Sequence, residues 1–419
     1  MVFSPAIVVE CSLRCRVSPV LSRICSYCYF VAAFLLAFPS VAQEGAVNTP
    51  PEVWPSPDVR GTPSKVDYQA LESFVDWLSD EASEADLPGV AMSIVSSQSV
   101  EHLETWGRRR EGESGDIDVD TVFRIASVSK TFAGTVAALM VQHGIVEWDE
   151  PLLPLLPGLR LGTEAVSEGV TLRHVASHST GLMPHAYSNL LDAGILYPDI
   201  RNRLHEVPTV CAPGDCYGYQ NVVFSLIADV VETHLQTRYS DFVRENIFLP
   251  LGMRTASMSI EAYEAQENAS SPHRYARGSW HPSTINEAYF SVGPASGVNA
   301  SIRDMSRWAQ ANLGAFPDVL QPALLASVHK PVVATPYGGY FNRWPGVERA
   351  WYAAGWRVYD YNGIRVVHHG GGVRGFRTEM VLVPALDIAM VVLFNAQTPL
   401  ANDVVPKFLD TVLNQLELP

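Results

Sequence analysis

The sequence predicts an α/β fold of the α+β kind, in which helices flank an antiparallel sheet and a mostly helical lobe is inserted. Two strands are predicted early, in "PGVAMSIVS" and "SVEHLETWG", with a turn near Ser97 and Gln98. Strand patterns return late, near residues 352–360 and in "GIRVVHHGG", "FRTEMVLVP" and "DIAMVVLFN". Between about residues 146 and 284, short helical pieces and loops show no sustained alternation. We therefore expect one sheet built from early and late strands, with the lobe inserted between them.

Three helices are predicted around this sheet. The first covers residues 66–85, where apolar side chains recur at helical spacing. The second begins at Ser127 and ends at His143, with Gly144 as its stop signal. It is apolar nearly all round, which predicts a central, buried helix. The third covers about residues 400–416.

The N-terminal residues have the pattern of an export signal. Arginines precede the apolar run "YFVAAFLLAF", and "SVAQ" offers small residues for cleavage after Ala42. The alternative is a membrane anchor, but a bilayer crossing needs roughly 20 apolar residues and this run is shorter. The sequence thus predicts a signal peptide at 1–42, a flexible Pro- and Gly-rich leader at 43–65, and one catalytic domain at 66–419. Its expected location is periplasmic or secreted.

Charge and cysteine content narrow the function classes. The formal net charge of −15 should repel nucleic acid and anionic membrane surfaces, so we expect no nucleic-acid partner and no stable membrane anchor. A monomer is expected. Cys211 and Cys216 flank a Pro-Gly turn in "CAPGDC". In an oxidising compartment this pair should form a disulfide, the alternative being two free thiols.

A serine and a lysine share one face of the second predicted helix. Ser127 and Lys130 are three residues apart in "TVFRIASVSKTFAGTVAALM", among small and apolar side chains. Near a helix N-terminus, unpaired backbone N–H groups favour a developing negative charge. Burial should lower the pKa of Lys130, so that the amine can take the proton of a serine nucleophile. This pair is the candidate catalytic centre.

The chain contains a second pair with the same spacing. In "SVHK", Ser327 precedes Lys330 by three residues, but Pro331 must end any helix there. Lys330 is therefore expected to be a solvated residue at a helix C-terminus. The spacing alone does not indicate chemistry; the apolar surroundings of Ser127 and Lys130 do.

These motifs resemble those of the penicillin-recognising serine hydrolases, especially class C β-lactamases and related peptidases and esterases. The resemblance runs from about Val66 to the C-terminus, and "FRIASVSKTFAG" matches the first family motif. "CYGYQNVVF" resembles the second, Tyr-x-Asn, at Tyr219 and Asn221. It implies that Tyr219, with its ionised form favoured by Lys130, acts as general base and later acid. It also implies that Asn221 orients Lys130 and donates to a substrate carbonyl.

The third motif departs from the family pattern. Counting back from Gly375-Phe376 aligns His369, Gly370 and Gly371 with the usual Lys-Thr-Gly. The resemblance implies that His369 and Gly371 bind substrate, and that the N–H groups of Gly372 and Ser127 form an oxyanion hole. A histidine is charged only below about pH 6.5, so His369 is expected to read a substrate carboxylate weakly at neutral pH. The departure argues against an efficient class C β-lactamase, not against a hydrolase.

The resulting expectation is an exported serine hydrolase that forms an acyl-enzyme without a cofactor. Three small-molecule or peptide substrates compete, namely β-lactams, peptides ending in D-alanine, and simple esters. A non-hydrolytic penicillin-binding protein of the same fold is the alternative class. His174 and His178 have the spacing of a metal pair, but no glutamate stands at the metalloprotease position, so no metal is expected.

Overall fold

We describe the fold from a computed structural model, in which residues 67–336 and 344–413 are described. The predicted signal peptide and leader, at 1–42 and 43–65, lie outside the described residues. Within the described ranges, no helix combines the length and the hydropathy that a bilayer crossing requires.

An antiparallel sheet forms the centre of the molecule. Among the described residues it contains eight strands in the order β2-β1-β12-β11-β10-β9-β8-β7. Of the two strands from the start of the domain, β1 pairs with β12 and β2 pairs with β1, so early and late strands share one sheet. Two short two-stranded sheets, β3–β6 and β4–β5, lie outside this sheet. The strands are β1 (Gly89–Val95), β2 (Val100–Gly107), β3 (Val122–Arg124), β4 (His273–Ala276), β5 (Ser279–Pro282), β6 (Asn299–Ser301), β7 (Val333–Ala334), β8 (Val347–Tyr352), β9 (Arg357–Tyr361), β10 (Ile364–Val373), β11 (Phe376–Val383) and β12 (Ile388–Phe394).

Helices cover both faces of the sheet and build the inserted lobe. The long ones are α1 (Tyr68–Glu84), α2 (Ser129–Gln142), α8 (Leu226–Leu235), α14 (Ile302–Asn312) and α16 (Val404–Leu413). The short ones are α3 (Leu152–Leu155), α4 (Glu164–Gly169), α5 (Leu172–Ala176), α6 (Ser188–Asp192), α7 (Tyr197–Arg201), α9 (Tyr239–Val243), α10 (Leu249–Leu251), α11 (Ile260–Glu264), α12 (Ala288–Ser291), α13 (Gly293–Ser296) and α15 (Pro322–Val328).

The two faces of the sheet bury separate apolar cores. On one face, α1 and α16 pack together, with the rings of Phe74 and Phe408 5.4 Å apart. On the other face, α2 and α14 meet where Phe132 stacks on Trp308 at 4.0 Å. Each core buries aromatic side chains, which contribute most apolar area per residue. The face that holds α2 also carries the lobe and the candidate site.

Helix α2 approaches the β8–β9 turn closely. A Cβ at Gly134 would lie 2.0 Å from the carbonyl oxygen of Ala354, so only glycine fits there. This contact sets Lys130 on α2 beside the first residues of β9. It explains why a glycine is placed in the middle of a helix, where it otherwise costs stability.

The structure differs from the sequence prediction at three elements. Residues 352–360 are not one strand: β8 ends at Tyr352, residues 353–356 form the hairpin turn, where Gly355 has a φ of 77°, and β9 begins at Arg357. Ser127 lies in a 3₁₀ turn, Ala126–Val128, and the α-helix begins at Ser129. The last helix ends at Leu413 within the described residues and begins at Val404, after a separate 3₁₀ turn.

Candidate active site

Ser127 stands on a strained turn at the entrance to α2. Ala126, directly before it, has a φ of 50°, which is unusual for a residue with a Cβ. The turn is supported from α13 and β6: Ser129 Oγ accepts from the Val298 N–H at 3.0 Å, and Arg124 donates to the Ser296 carbonyl at 2.7 Å. Ser127 is half-buried, so its hydroxyl remains reachable while its backbone is fixed.

Lys130 is fully buried beneath Ser127. Its Nζ lies 3.2 Å from Ser127 Oγ, 2.7 Å from Asn221 Oδ1 and 3.0 Å from the Ala295 carbonyl oxygen. Burial lowers its pKa well below the usual value, and the charge of Arg357 lowers it further. The lysine predicted from the Ser-x-x-Lys spacing therefore lies beside its serine with a depressed pKa.

Tyr219 and Asn221 join the same cluster from the loop before α8. The ring centre of Tyr219 lies 4.7 Å from Lys130 Nζ. Burial raises the pKa of Tyr219 well above its usual value, although Arg357 and a hydrogen bond with Ser127 act in the opposite direction. The expectation that Lys130 favours the tyrosinate is therefore corrected: Tyr219 is a neutral phenol, suited to giving a proton rather than taking one first.

The structure also corrects the expected role of His369. The ring is buried, its Nδ1–H donates to the Gly370 carbonyl at 2.8 Å, and its Nε2 accepts from the Tyr352 hydroxyl at 2.9 Å. Burial, then the charges of Arg357 and Lys130, lowers the pKa of His369 well below its usual value. The ring is therefore neutral and bonded on both sides, not an imidazolium facing a substrate carboxylate.

Strand β10 runs close beside the serine turn. A Cβ at Gly371 would lie 2.3 Å from the Ile125 carbonyl oxygen, so glycine permits this approach. Gly372, the next residue, is exposed. Gly371 and Gly372 line a cleft of about 400 Å³, which Tyr289 and Arg374 also line. A substrate carbonyl held near Ser127 would lie along this strand.

Arg357 is the component that the sequence did not reveal. It begins β9 with 9% of its surface exposed, and its Cζ lies 5.6 Å from the ring centre of Tyr219. Its Nη1 donates to the Tyr217 hydroxyl at 3.4 Å. No motif in the sequence marks this arginine; only the β8–β9 hairpin brings it to the site.

Other predicted residues have structural contacts. Cys211 and Cys216 are joined by a disulfide, which closes the loop leading to Tyr219. His174 completes a capping box with Thr171 at the start of α5. Among the described residues, no group of three or more His, Cys, Asp or Glu side chains could hold a metal ion.

Comparison with known proteins agrees with this architecture. The sequence model of the Beta-lactamase family matches residues 70–413. An unguisins hydrolase of Aspergillus campestris is 26% identical over 81% of this chain, and the match spans 65% of that protein. A D-aminopeptidase of Brucella canis is 27% identical over 83% of this chain, spanning 63% of the relative. This chain thus covers less than two thirds of either relative.

The fold also matches a solved structure, described as that of an octameric penicillin-binding protein homologue from Pyrococcus abyssi. The TM-score is 0.73 with 18% sequence identity, covering 82% of this chain and 77% of the other. At this identity, the match shows that the two chains share a fold.

Proposed function

This chain belongs to the Beta-lactamase family, and from that premise we propose that it is a serine hydrolase acting through an acyl-enzyme on Ser127. The observation that carries the proposal is the buried contact of Lys130 with Ser127 and Asn221. A serine hydroxyl is a weak nucleophile and needs an adjacent base.

The partners of Lys130 fit either an ammonium, which donates to all three acceptors, or a neutral amine, and we propose the neutral amine. The Asn221 Oδ1 and the Ala295 carbonyl oxygen can only accept hydrogen bonds, so they take the two N–H groups of the amine. The lone pair then points to Ser127, whose hydroxyl donates to it. Burial lowers the pKa of Lys130 well below its usual value, and so favours this neutral state relative to an exposed lysine.

The proposed reaction has two stages. In the first, Lys130 takes the Ser127 proton while Oγ bonds to the substrate carbonyl carbon, and the N–H groups of Ser127 and Gly372 stabilise the oxyanion. Lys130 returns the proton to the leaving atom through the Tyr219 hydroxyl, and the C–N or C–O bond breaks. In the second, water attacks the acyl carbon, gives its proton to Lys130, and the bond to Oγ breaks as Ser127 regains that proton.

The proposed substrate is an amide or an ester. The relative named D-aminopeptidase supports an amide formed by a D-amino acid, alongside β-lactams and simple esters. Since His369 is neutral, the proposal does not use that residue to read a carboxylate. No metal or organic cofactor takes part in the proposed steps.

We propose that the protein works in the periplasm or outside the cell. The pattern of residues 1–42 and the Cys211–Cys216 disulfide support this, because disulfides persist in oxidising compartments. Fractionation of the full-length protein, with mass spectrometry of its mature N-terminus, tests the proposal; a cytoplasmic protein retaining residues 1–42 would contradict it.

The catalytic proposal is tested by hydrolysis of p-nitrophenyl butyrate, D-alanine p-nitroanilide and nitrocefin. We expect at least one substrate to be turned over, and Ser127→Ala to lower kcat/KM by about 10³-fold or more. Ser327→Ala, the serine of the second Ser-x-x-Lys pair, is the matched control and should act as wild type. Turnover that survives Ser127→Ala, or a folded wild type inactive on all three substrates, would contradict the proposal.

A further inference from the structure

His178 makes an unusual set of contacts with the loop that carries Tyr219. Its carbonyl oxygen accepts from the Gly218 N–H at 2.7 Å, and its ring Nδ1 accepts from the Gln220 N–H at 3.3 Å. The residues on either side of Tyr219 are therefore bound by the same histidine. The Tyr219 carbonyl accepts from His185 at 2.7 Å, a few residues along the same segment.

The imidazole also packs on the phenol itself. The ring centres of His178 and Tyr219 are 4.3 Å apart, and those of His178 and Tyr352 are 4.7 Å apart. His178 is 2% exposed, so these contacts are shielded from water. Two backbone bonds and one ring contact thus define the direction in which the Tyr219 hydroxyl points.

This position carries two structural costs. His178 adopts a φ of 57°, a conformation that residues with a Cβ rarely take. Because Nδ1 accepts a hydrogen bond, the proton resides on Nε2, which is buried without a hydrogen-bond partner among the described residues. Strained and unsatisfied groups of this kind concentrate at functional sites. A residue chosen for stability alone would avoid both.

We infer that His178 is a positioning residue that holds Tyr219 in line for proton transfer, acting through its ring acceptor and its packing on the phenol. The inference rests on the proposed function and extends it, since it assigns a role to a residue that does not touch the reacting atoms. The ring serves in its neutral form, because burial lowers its pKa well below the usual value.

The test compares His178→Leu, His178→Asn, Tyr219→Phe and the double variant His178→Leu/Tyr219→Phe. Leucine fills the space without an acceptor, whereas asparagine tolerates positive φ and offers an oxygen near the Nδ1 position. The substrates are D-alanine p-nitroanilide, whose amine must receive a proton to leave, and p-nitrophenyl butyrate, whose phenolate leaves without one. His174→Leu, in the same segment but bonded only within its own helix start, is the matched control.

We expect His178→Leu to lower kcat for the anilide by about 10-fold or more, with KM within 2-fold, and to affect the ester much less. In the Tyr219→Phe background the same change should alter kcat by less than 2-fold, because its effect passes through the phenol. His178→Asn should retain most of the activity, and His174→Leu all of it. Circular dichroism confirms that each variant is folded.

An equal loss of kcat in both backgrounds would overturn the inference, since it would show a general structural effect. So would an equal loss in His178→Asn and His178→Leu. Suppose that the wild type is active, that Ser127→Ala is inactive, and that the effects of His178→Leu and Tyr219→Phe on kcat are additive. The role of His178 is then refuted, while the proposed function stands. If the wild type turns over neither of these substrates nor nitrocefin, the proposed function and the inference fail together; if it turns over nitrocefin alone, the same cycle of variants is measured on nitrocefin.

Discussion

The charge state of Lys130 decides whether the site works. Ionisable groups that face it from neighbouring elements are Tyr219, His178, His369 and Arg357. The phenol and both imidazoles are neutral, because burial disfavours their charged forms. Arg357 is therefore the charge that acts on the lysine, and its effect adds to that of burial.

The pH profile follows from this arrangement. In the proposed reaction the neutral amine is the active form, so kcat/KM should fall as the pH drops through the lowered pKa of Lys130. Arg357→Met removes a positive charge and raises that pKa, so the acid limb should move to higher pH. Arg365→Met, on the neighbouring strand and paired with Asp360, is the control. An unmoved limb in Arg357→Met would refute the electrostatic role.

The two Ser-x-x-Lys pairs allow a direct comparison of lysines. Lys130→Ala should lower kcat by about 10²-fold or more, because it removes the base. Lys330→Ala should have no effect, since Lys330 is exposed beyond the end of α15. Steady-state kinetics of both variants on one substrate check this; a similar loss in the two would show that the lysine acts through stability.

At this scale the sequence indicated four side chains that the structure brings together: Ser127, Lys130, Tyr219 and Asn221. Helical spacing and apolar flanks indicated Ser127 and Lys130, whereas Tyr219 and Asn221 were indicated by the family resemblance of their motif. The neutral, buried state of the His369 ring and the location of Arg357 beside the site depend on how separate strands pack. Burial of that kind cannot be read from a local pattern.

Strand β10 packs closely against the chain that leads into the 3₁₀ turn of Ser127, Ala126–Val128. Gly371 lets the strand approach Ile125, and a Cβ would contact backbone that has no room to move. We expect Gly371→Ala to separate the two elements and lower kcat/KM by about 10-fold or more. Gly169→Ala, where the nearest atom is Pro213 Cγ at 3.5 Å, is the control and should be neutral. Full activity in Gly371→Ala would show that this approach is not needed.

Elements were predicted well where their pattern was long. Helix α1 and strands β1, β2, β11 and β12 follow their apolar periodicity closely. The β8–β9 hairpin was missed because its turn, "YAAGW", is apolar and buried and lacks the usual polar turn residues. Gly355 adopts the positive φ that the turn requires, and it also lets the turn lie against the backbone of Lys130 on α2.

At the scale of the whole molecule, the central sheet joins strands that are far apart in sequence. Strands β1 and β12 pair in antiparallel register from Val90↔Phe394 to Val95↔Ala389. The order of patterns predicted one antiparallel sheet with an inserted lobe, but not which of its strands pair. The number of short helices between them was not predicted, because pieces of four or five residues carry little periodic signal.

The disulfide links stability to the site. It closes a short loop immediately before Tyr217 and Tyr219, so the variant with Cys211→Ser and Cys216→Ser should lose about 2 kcal/mol of unfolding free energy. Chemical denaturation measures this loss. We also expect a lower kcat, since the loop positions Tyr219; unchanged stability and kcat would show that the bond is dispensable.

The central claim is that Ser127 is the nucleophile, and covalent labelling tests it most directly. The folded protein is treated with a biotinylated fluorophosphonate, which phosphonylates activated serines, and the labelled peptide is located by mass spectrometry. The account predicts a label on Ser127, none in Ser127→Ala, and an unchanged label in Ser327→Ala. A label that persists in Ser127→Ala, or a wild type that is never labelled, would contradict it.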